Sequence, residues 1–308
     1  DNDPEAIRTI AEYEASVGVT TICPATMTLP VDDLKKILST VASYTNESGA
    51  HLVGLNMEGP FISVSKKGAQ DERNIIPCDA ALFREFQEAA RGLIRFIGVA
   101  PETGLDRTLD FIREVKGEVS VSLAHTNASY TDAKAAFDAG ACHAVHLFNA
   151  MPAFTHREPG VVGAVFDSKH VFAELICDGV HIHPAMVRAA FAMMGAERIC
   201  LISDSMRAAG MPDGSYTLGG LAVNVSGKHA TLAEGGALAG SVTNLADCMR
   251  TAVKEMNIPL EEAIRCATLN PARALHLEHR YGSIAPGKTG NLVLLNPDLS
   301  LKQVIVNG

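Results

Sequence analysis

The 308-residue sequence predicts an α/β fold: a TIM-like (β/α)8 barrel that lacks its first strand in this chain, with a small β-sandwich appendage. Three observations predict this fold. Short apolar runs alternate with amphipathic segments, the runs show no clear polar alternation, and the last third of the chain is rich in glycine and proline turns. The alternation indicates right-handed βαβ units and a parallel sheet. Strands without polar alternation fit a sheet covered on both faces.

Seven apolar runs are predicted to be strands, at residues 19–26, 51–57, 94–100, 119–124, 143–148, 171–177 and 199–203. The predicted helices are residues 4–16, 34–44, 79–91, 103–115, 131–139 and 184–194. A complete barrel of this class has eight strands, and the chain opens with a helical segment, so we expect strand one to be absent from this chain. An open doubly wound sheet is the alternative, but no G-x-G-x-x-G motif follows the first predicted strand.

The last third of the chain has a different pattern. Residues 214–240 combine strand-like runs with the glycine turns of a β-hairpin, and a helix pair is predicted at 242–256 and 259–268. Short strands separated by glycine and proline follow. We therefore expect a barrel domain at 1–280 with a β-hairpin insertion near 214–240, and part of a small β-sandwich domain at 281–308.

Composition and charge exclude several classes of function. Apolar residues make up 47% of the chain and charged residues 20%, which is enough for a sizeable core. The net charge of -9 disfavours binding to nucleic acid or to anionic membranes, and no apolar run approaches the length of a membrane span. The seven cysteines are widely spaced and never form C-x-x-C, as is typical of proteins from a reducing compartment. We expect a cytoplasmic protein with no nucleic-acid or membrane partner.

Polar residues that bind metals or move protons fall at the ends of the predicted strands, where a barrel carries its chemistry. The set comprises Glu58, Glu102, His125, His146 with Asn149, Asp178 with His181, and Asp204. His143 lies three residues before His146 and is predicted to face the other side of its strand, so we interpret it as structural.

Glu58, His125 and His146 form the most specific group. Glu58 ends the apolar strand in "GLNMEGPF", where a carboxylate needs a cationic partner. Two imidazoles and one carboxylate are a common catalytic zinc shell that leaves one position open. The alternative is that each histidine is a packed core residue and that Glu58 pairs with Lys66 or Lys67. Because the three residues follow corresponding strands, the metal site is favoured.

Asp204 comes after four apolar residues and Ser203 in "ICLISDSMRAAG". A carboxylate beside an activated water can accept its proton and pass it to a leaving group. The alternative interpretation is a helix N-cap, a position that aspartate favours. We favour the catalytic role.

A second group suggests an anion site. Asn149 and Ala150, in "HLFNAMPAFTHREPG", can present main-chain N–H groups, and Arg157 can bind a phosphate with two hydrogen bonds. Exposed arginines are common, so Arg157 alone is a weak indication. His181, in "CDGVHIHP", is predicted to face the mouth of the barrel, where it could bind substrate.

These motifs resemble the N-acetylglucosamine-6-phosphate deacetylase family of the amidohydrolase superfamily. The similar stretches are "MEGPF" with "KKGA", "AHTNASYTDAKAAFDAGACHAVHLFNAMPAFTHREPG", "CDGVHIHP", "SDSMRAAG" and "GSIAPGKTGNLVLLN", in family order across nearly the whole chain. The central block is highly specific, whereas "PGKTGNLVLL" is shared more widely among amidohydrolases.

The resemblance implies a deformed barrel that removes the acetyl group of N-acetylglucosamine 6-phosphate. It implies Glu58, His125 and His146 as ligands of one divalent metal ion, with zinc preferred and iron or manganese as alternatives. It implies Asp204 as catalytic acid and base. Asn149, Ala150, Arg157 and His181 are implied as phosphosugar contacts, and the family's use of the arginine in a neighbouring site implies a homodimer.

The chain departs from the family pattern at three places. It has no counterpart of the strand-one H-x-H motif, which supplies ligands for a second metal in the superfamily. The histidine of "H-x-E-G-P" is Asn56, and the histidine that ends "K-K-G-A-H" is Gln70. At this substrate-binding position Gln70 can donate a hydrogen bond but carries no positive charge. The substitution therefore affects oxyanion stabilisation more than metal binding.

Two other functions are compatible with the sequence. Another amidohydrolase, acting on a cyclic or N-acyl amide, would keep the metal ligands and lose the phosphate site. A catalytically impaired phosphosugar-binding protein would bind the ligand without releasing acetate.

Overall fold

A computed structural model describes residues 3–308 of the protein. Its main element is a parallel sheet whose seven strands lie side by side in chain order: Ala25–Thr26, Leu55–Phe61, Ile94–Val99, Ser120–Leu123, His143–Ala144, Phe172–Ile176 and Ile199–Ile202. Within residues 3–308 no pairing joins the first of these strands to the last, so the curled sheet remains open. The seven predicted strands are confirmed, as a half-barrel consistent with the TIM-like class.

The first two predicted strands are each divided in the structure. Thr21–Ile22 pairs with His51–Leu52 in a separate two-stranded parallel sheet. The interruption in the first strand falls at Pro24, which has no N–H to donate to a sheet. The second strand also extends beyond the predicted end at residue 57 and reaches Phe61, so Glu58 lies within it. Its pairing shifts register between Met57 and Phe61, because the intervening residues bulge.

Helices cover one face of the sheet. They are Pro4–Ser16, Val31–Ser43, Ala80–Ala89, Leu105–Val115, Tyr130–Ala139, Gly160–Asp167 and Pro184–Met194. Side chains such as Asp79 and Ser129 cap them by accepting main-chain N–H groups of the first turn. Gly160–Asp167 was not predicted, because its residues from Gly160 to Phe166 are all buried and leave no polar face to reveal a helical period. Short 3₁₀ helices are formed by Val64–Lys66, Glu72–Asn74, Pro101–Thr103 and Ala196–Arg198.

The two faces of the sheet differ in polarity. The outer face packs residues such as Leu123, Ala144 and Leu175 against the helices. The inner face carries Asn56, Glu58, Ser122, His143 and Glu174 at alternating positions. The absence of polar alternation expected from the sequence is therefore wrong for these strands. Their inner polar residues are single and buried, so they interrupt the apolar runs only briefly.

The chain after the seventh strand forms smaller elements. The hairpin predicted near 214–240 is a three-stranded antiparallel sheet of Gly214–Leu218, Leu221–Ser226 and His229–Leu232. The helices Leu245–Lys254, Leu260–Ala267 and Leu269–Ala274 follow, and Leu292–Leu295 pairs with Leu301–Ile305. The β-sandwich and the domain boundary after residue 280 stay predictions. No helix in the described part of the chain is long and apolar enough to cross a membrane.

Candidate active site

Three of the predicted site residues occupy the same unusual backbone position. His125, His146 and Asp204 each lie two residues beyond the end of their strand. Their φ angles are 44°, 32° and 49°, in the left-handed region that residues other than glycine rarely adopt. Such strained positions concentrate at functional sites. The left-handed turn also breaks strand alternation, so His146 and His143 both lie on the inner side of the sheet, contrary to the sequence prediction.

Glu58, His125 and His146 meet in one buried cluster. The Nε2 atom of His146 lies 2.9 Å from Oε1 of Glu58 and 3.2 Å from Nε2 of His125. Nε2 of His125 lies 3.5 Å from the same carboxylate oxygen. The potential ligand atoms of the three residues all lie within 4.8 Å of one another, a spacing that a single metal ion can bridge.

Main-chain carbonyls orient both histidines. Nδ1 of His125 donates to the carbonyl of Lys66 at 2.8 Å, and Nδ1 of His146 donates to the carbonyl of Asn149 at 3.1 Å. Because a carbonyl can only accept, each Nδ1 carries the proton and each Nε2 can present its lone pair to the cluster. This is the usual outer contact of a metal-bound imidazole. The donor set therefore fits a divalent metal ion.

The cluster is also electrostatically coupled. Burial alone would raise the pKa of the Glu58 carboxyl, but His125 and His146 hold it below its usual range. Burial alone would lower the pKa of His146, but the hydrogen bond and the charge of Glu58 raise it above its usual value. A positive charge thus stabilises the buried Glu58 carboxylate, and a metal ion can supply that charge in place of a proton.

The lysine alternative for Glu58 is wrong. Nζ of Lys67 lies 2.5 Å from Glu72, and Nζ of Lys66 donates to the carbonyl of Met151 at 3.0 Å. The second oxygen of Glu58 instead accepts from Nε2 of Gln70 at 3.0 Å.

Asp204 lies within electrostatic reach of the cluster. Burial raises the pKa of its carboxyl, and the charge of Glu58 raises it further, whereas His146 and His181 act in the opposite direction. Its carbonyl accepts from the N–H of Ser241 at 2.8 Å, which holds the strand end against the loop before Leu245–Lys254. In the described chain no helix starts at Asp204, so the structure does not support the N-cap interpretation.

His181 is held by a buried carboxylate. Nδ1 of His181 lies 2.7 Å from Oδ2 of Asp178, and Oδ1 of Asp178 accepts the N–H groups of Val180 and His181 at 2.8 and 2.9 Å. Only 5% of the His181 side chain and 3% of the Asp178 side chain are exposed. Asp178 therefore fixes the imidazole so that Nδ1 is engaged and Nε2 is the nitrogen left for another partner.

The remaining predicted substrate contacts differ in their exposure and in which of their polar groups already have hydrogen-bond partners. Gln70 is buried, and its Oε1 accepts the N–H of Thr28 at 2.7 Å while its Nε2 donates to Glu58. The N–H of Asn149 is used to close a turn onto the His146 carbonyl at 2.9 Å. Ala150 has a left-handed backbone, with φ of 51°. Arg157 is an exposed loop residue and is not part of the buried cluster of Glu58, His125 and His146.

Glu174 is the site residue that the sequence analysis missed. It lies within Phe172–Ile176, and its Oε2 accepts the main-chain N–H of His146 at 3.2 Å. Its Oε1 lies 3.5 Å from Nε2 of His143. Burial raises the pKa of this carboxyl to about 8. Glu174 in "FAELIC" lies inside an apolar run as Glu58 does, and that shared pattern is the signal in the sequence that points to it.

Comparison with known proteins connects this geometry to one group of enzymes. Residues 5–308 match the model of the amidohydrolase family. The chain is 39% identical to N-acetylglucosamine-6-phosphate deacetylase of Bacillus subtilis over 84% of its own length and 65% of the relative's. It is 36% identical to N-acetylgalactosamine-6-phosphate deacetylase of Escherichia coli O157:H7 over 100% of its length and 81% of the relative's. A crystal structure of N-acetyl-D-glucosamine-6-phosphate deacetylase from Mycobacterium smegmatis superposes with a TM-score of 0.92 at 34% identity, covering 99% of this chain and 80% of that one.

Proposed function

The chain belongs to the amidohydrolase family, and from that premise we propose that it hydrolyses the acetamide of N-acetylglucosamine 6-phosphate to acetate and glucosamine 6-phosphate. The observation that carries the proposal is the buried cluster of Glu58, His125 and His146, with both imidazoles presenting Nε2, beside the carboxyl of Asp204. Relatives that bear the name of this enzyme support the choice of substrate.

We propose that Glu58, His125 and His146 hold one divalent metal ion. Two neutral imidazoles and a carboxylate suit zinc first, with iron or manganese as alternatives. When bound, such an ion polarises an amide carbonyl and makes water a better nucleophile. Gln70 contributes by fixing Glu58, since its amide bridges that carboxylate and the Thr28 main chain. Gln70 keeps one further N–H for the substrate carbonyl.

In the proposed mechanism Asp204 moves the proton. Its carboxylate accepts a proton from the attacking water as the new C–O bond forms. The same carboxyl then gives the proton to the amide nitrogen, and the C–N bond breaks to release the amine and acetate. A pKa raised by burial and by Glu58 suits this exchange, because the carboxyl then binds the proton more readily before transferring it.

The other predicted residues are assigned to the phosphosugar. Nε2 of His181, oriented by Asp178, binds the sugar. The N–H of Ala150, the side chain of Asn149 and the guanidinium of Arg157 bind the phosphate. We propose that Arg157 serves the site of a second copy in a homodimer, which agrees with its exposure. A cytoplasmic location agrees with seven free cysteines, five of them buried.

The 4-epimer is a second candidate substrate. The relative whose name specifies N-acetylgalactosamine 6-phosphate aligns with the full length of this chain at 36% identity. Both epimers carry the same acetamide and phosphate, so the metal site and Asp204 serve either one. The two candidates differ only in the sugar contacts.

The test is acetate release from both phosphorylated epimers and from unphosphorylated N-acetylglucosamine, with the metal removed by a chelator and then with zinc restored. We expect release from one or both phosphosugars, lost with the metal and regained with zinc. Zinc-dependent release from both the phosphorylated and the unphosphorylated sugar would indicate an amidohydrolase of broader specificity. Binding without release, in protein shown to be folded, would contradict the proposal and indicate a sugar-binding protein.

A further inference from the structure

Lys66 links the metal cluster to the loop after His146. It ends the 3₁₀ helix Val64–Lys66, and its carbonyl accepts Nδ1–H of His125 at 2.8 Å. Its ammonium donates to the carbonyl of Met151 at 3.0 Å, one residue beyond Ala150. A single residue thus contacts both a proposed metal ligand and the loop proposed to bind phosphate.

The ammonium of Lys66 has capacity for another ligand. It carries three N–H donors, and one is used by the Met151 carbonyl. Lys66 is half-buried, and within residues 3–308 no carboxylate forms an ion pair with it. The neighbouring Lys67 differs, because its ammonium is neutralised by Glu72 at 2.5 Å. Lys66 therefore keeps an uncompensated positive charge and two donors beside the site.

The surroundings make that charge important for an anionic substrate. The chain has a net charge of -9, and Glu58, Asp204 and Asp178 bring three carboxyl groups to the site. A phosphate monoester entering this field needs a local cation. Arg157 is exposed, so its interaction with phosphate is screened by water more than that of a half-buried lysine.

We propose that Lys66 binds the phosphate of the substrate and sets the preference for phosphorylated over unphosphorylated N-acetyl sugars. The inference rests on the proposed function for the identity of the substrate. A charge-assisted hydrogen bond from Lys66 to the phosphate acts together with the N–H of Ala150.

The experiment compares Lys66→Met with the matched control Lys67→Met and the conservative Lys66→Arg. The values of kcat/KM are measured for N-acetylglucosamine 6-phosphate and for N-acetylglucosamine, and the affinities for glucosamine 6-phosphate and glucosamine by calorimetry. We expect Lys66→Met to lower the ratio of phosphorylated to unphosphorylated kcat/KM about tenfold or more, which corresponds to about 1.4 kcal/mol. Lys66→Arg should restore most of that ratio, and Lys67→Met should leave it unchanged.

The outcomes separate the two proposals. If Lys66 only holds the Met151 loop, Lys66→Met will reduce both substrates by the same factor, and the inference is overturned. A wild-type protein that shows no preference for the phosphosugars overturns it too. If neither sugar is hydrolysed but glucosamine 6-phosphate binds with an affinity that depends on Lys66, the inference stands and the deacetylase function fails.

Discussion

Glu174 offers the most direct test of how the fold positions the proposed metal ligands. Oε2 of its carboxyl group accepts the N–H of His146, and its main-chain carbonyl accepts the N–H of Leu147 at 2.8 Å. The side chain and main chain of one residue thus hold the left-handed turn at His146. Glu174→Leu fills the same space and keeps the main-chain contact, but it leaves the buried N–H of His146 without an acceptor.

The cost of an unpaired buried donor sets the expected magnitude. Leaving such a group unsatisfied costs about 1–3 kcal/mol. The main chain at His146 can avoid this cost by moving away from its φ of 32°. That movement then has to be reversed when the metal binds. The lost hydrogen bond therefore weakens metal binding. We expect the Kd for zinc to rise about 10- to 100-fold, the range found when outer contacts of metal ligands are removed.

Competition with a zinc chelator of known affinity measures this Kd, and cobalt substitution reports the ligand geometry through its visible spectrum. Glu174→Gln is the matched control, since its amide oxygen can still accept from His146, and its Kd should stay close to that of the wild type. An unchanged zinc affinity in Glu174→Leu, with a lower melting temperature as the only effect, would refute the positioning role.

Three further predictions follow from the site and from the first helix. Asp204→Asn should lower kcat by about 10²- to 10⁴-fold, the usual contribution of general acid–base catalysis, while metal content and melting temperature stay unchanged; loss of the metal would contradict the assigned role. Asp178→Asn should lower kcat/KM by roughly tenfold through misorientation of His181, with zinc affinity unaffected as the control measurement. Burial raises the pKa of Glu14 from 4.5 to about 7, so the folded chain binds this proton more tightly than the unfolded chain. The protonated Glu14 therefore stabilises the fold fully below pH 4.5, and this contribution is lost as the pH rises through 7. The free energy of unfolding falls by up to about 3 kcal/mol over this range. Glu14→Gln should remove this dependence, and parallel melting curves for both proteins from pH 5 to 8 would contradict the assignment.

The sequence was sufficient to place the side chains of the proposed active site, because strand order fixes where strand ends meet. Glu58, His125, His146 and Asp204 were predicted from their positions after apolar runs, and parallel strands in chain order bring those positions to one end of the sheet. The pattern of apolar residues also predicted the strands, because the residues on their outer face are consistently apolar. These features depend on local pattern and on topology alone.

Features that depend on tertiary contacts could not be predicted from the pattern of residues along the sequence. The role of Glu174 requires knowing that its strand lies next to the one that carries His146. The bridge from Thr28 through Gln70 to Glu58 joins residues 42 and 12 positions apart, which no periodicity encodes. The helix Gly160–Asp167 is buried on every side, so its sequence lacks the amphipathic pattern on which helix prediction relies.

The left-handed backbone at His125, His146 and Asp204 also bears on how the protein can evolve. Each such residue costs about 1 kcal/mol or more relative to glycine, which adopts this conformation freely. Selection for thermal stability alone would therefore favour glycine or asparagine at these three positions. Under the proposed function, selection for activity retains histidine and aspartate there, so we expect lineages that lose the reaction to lose these three residues early.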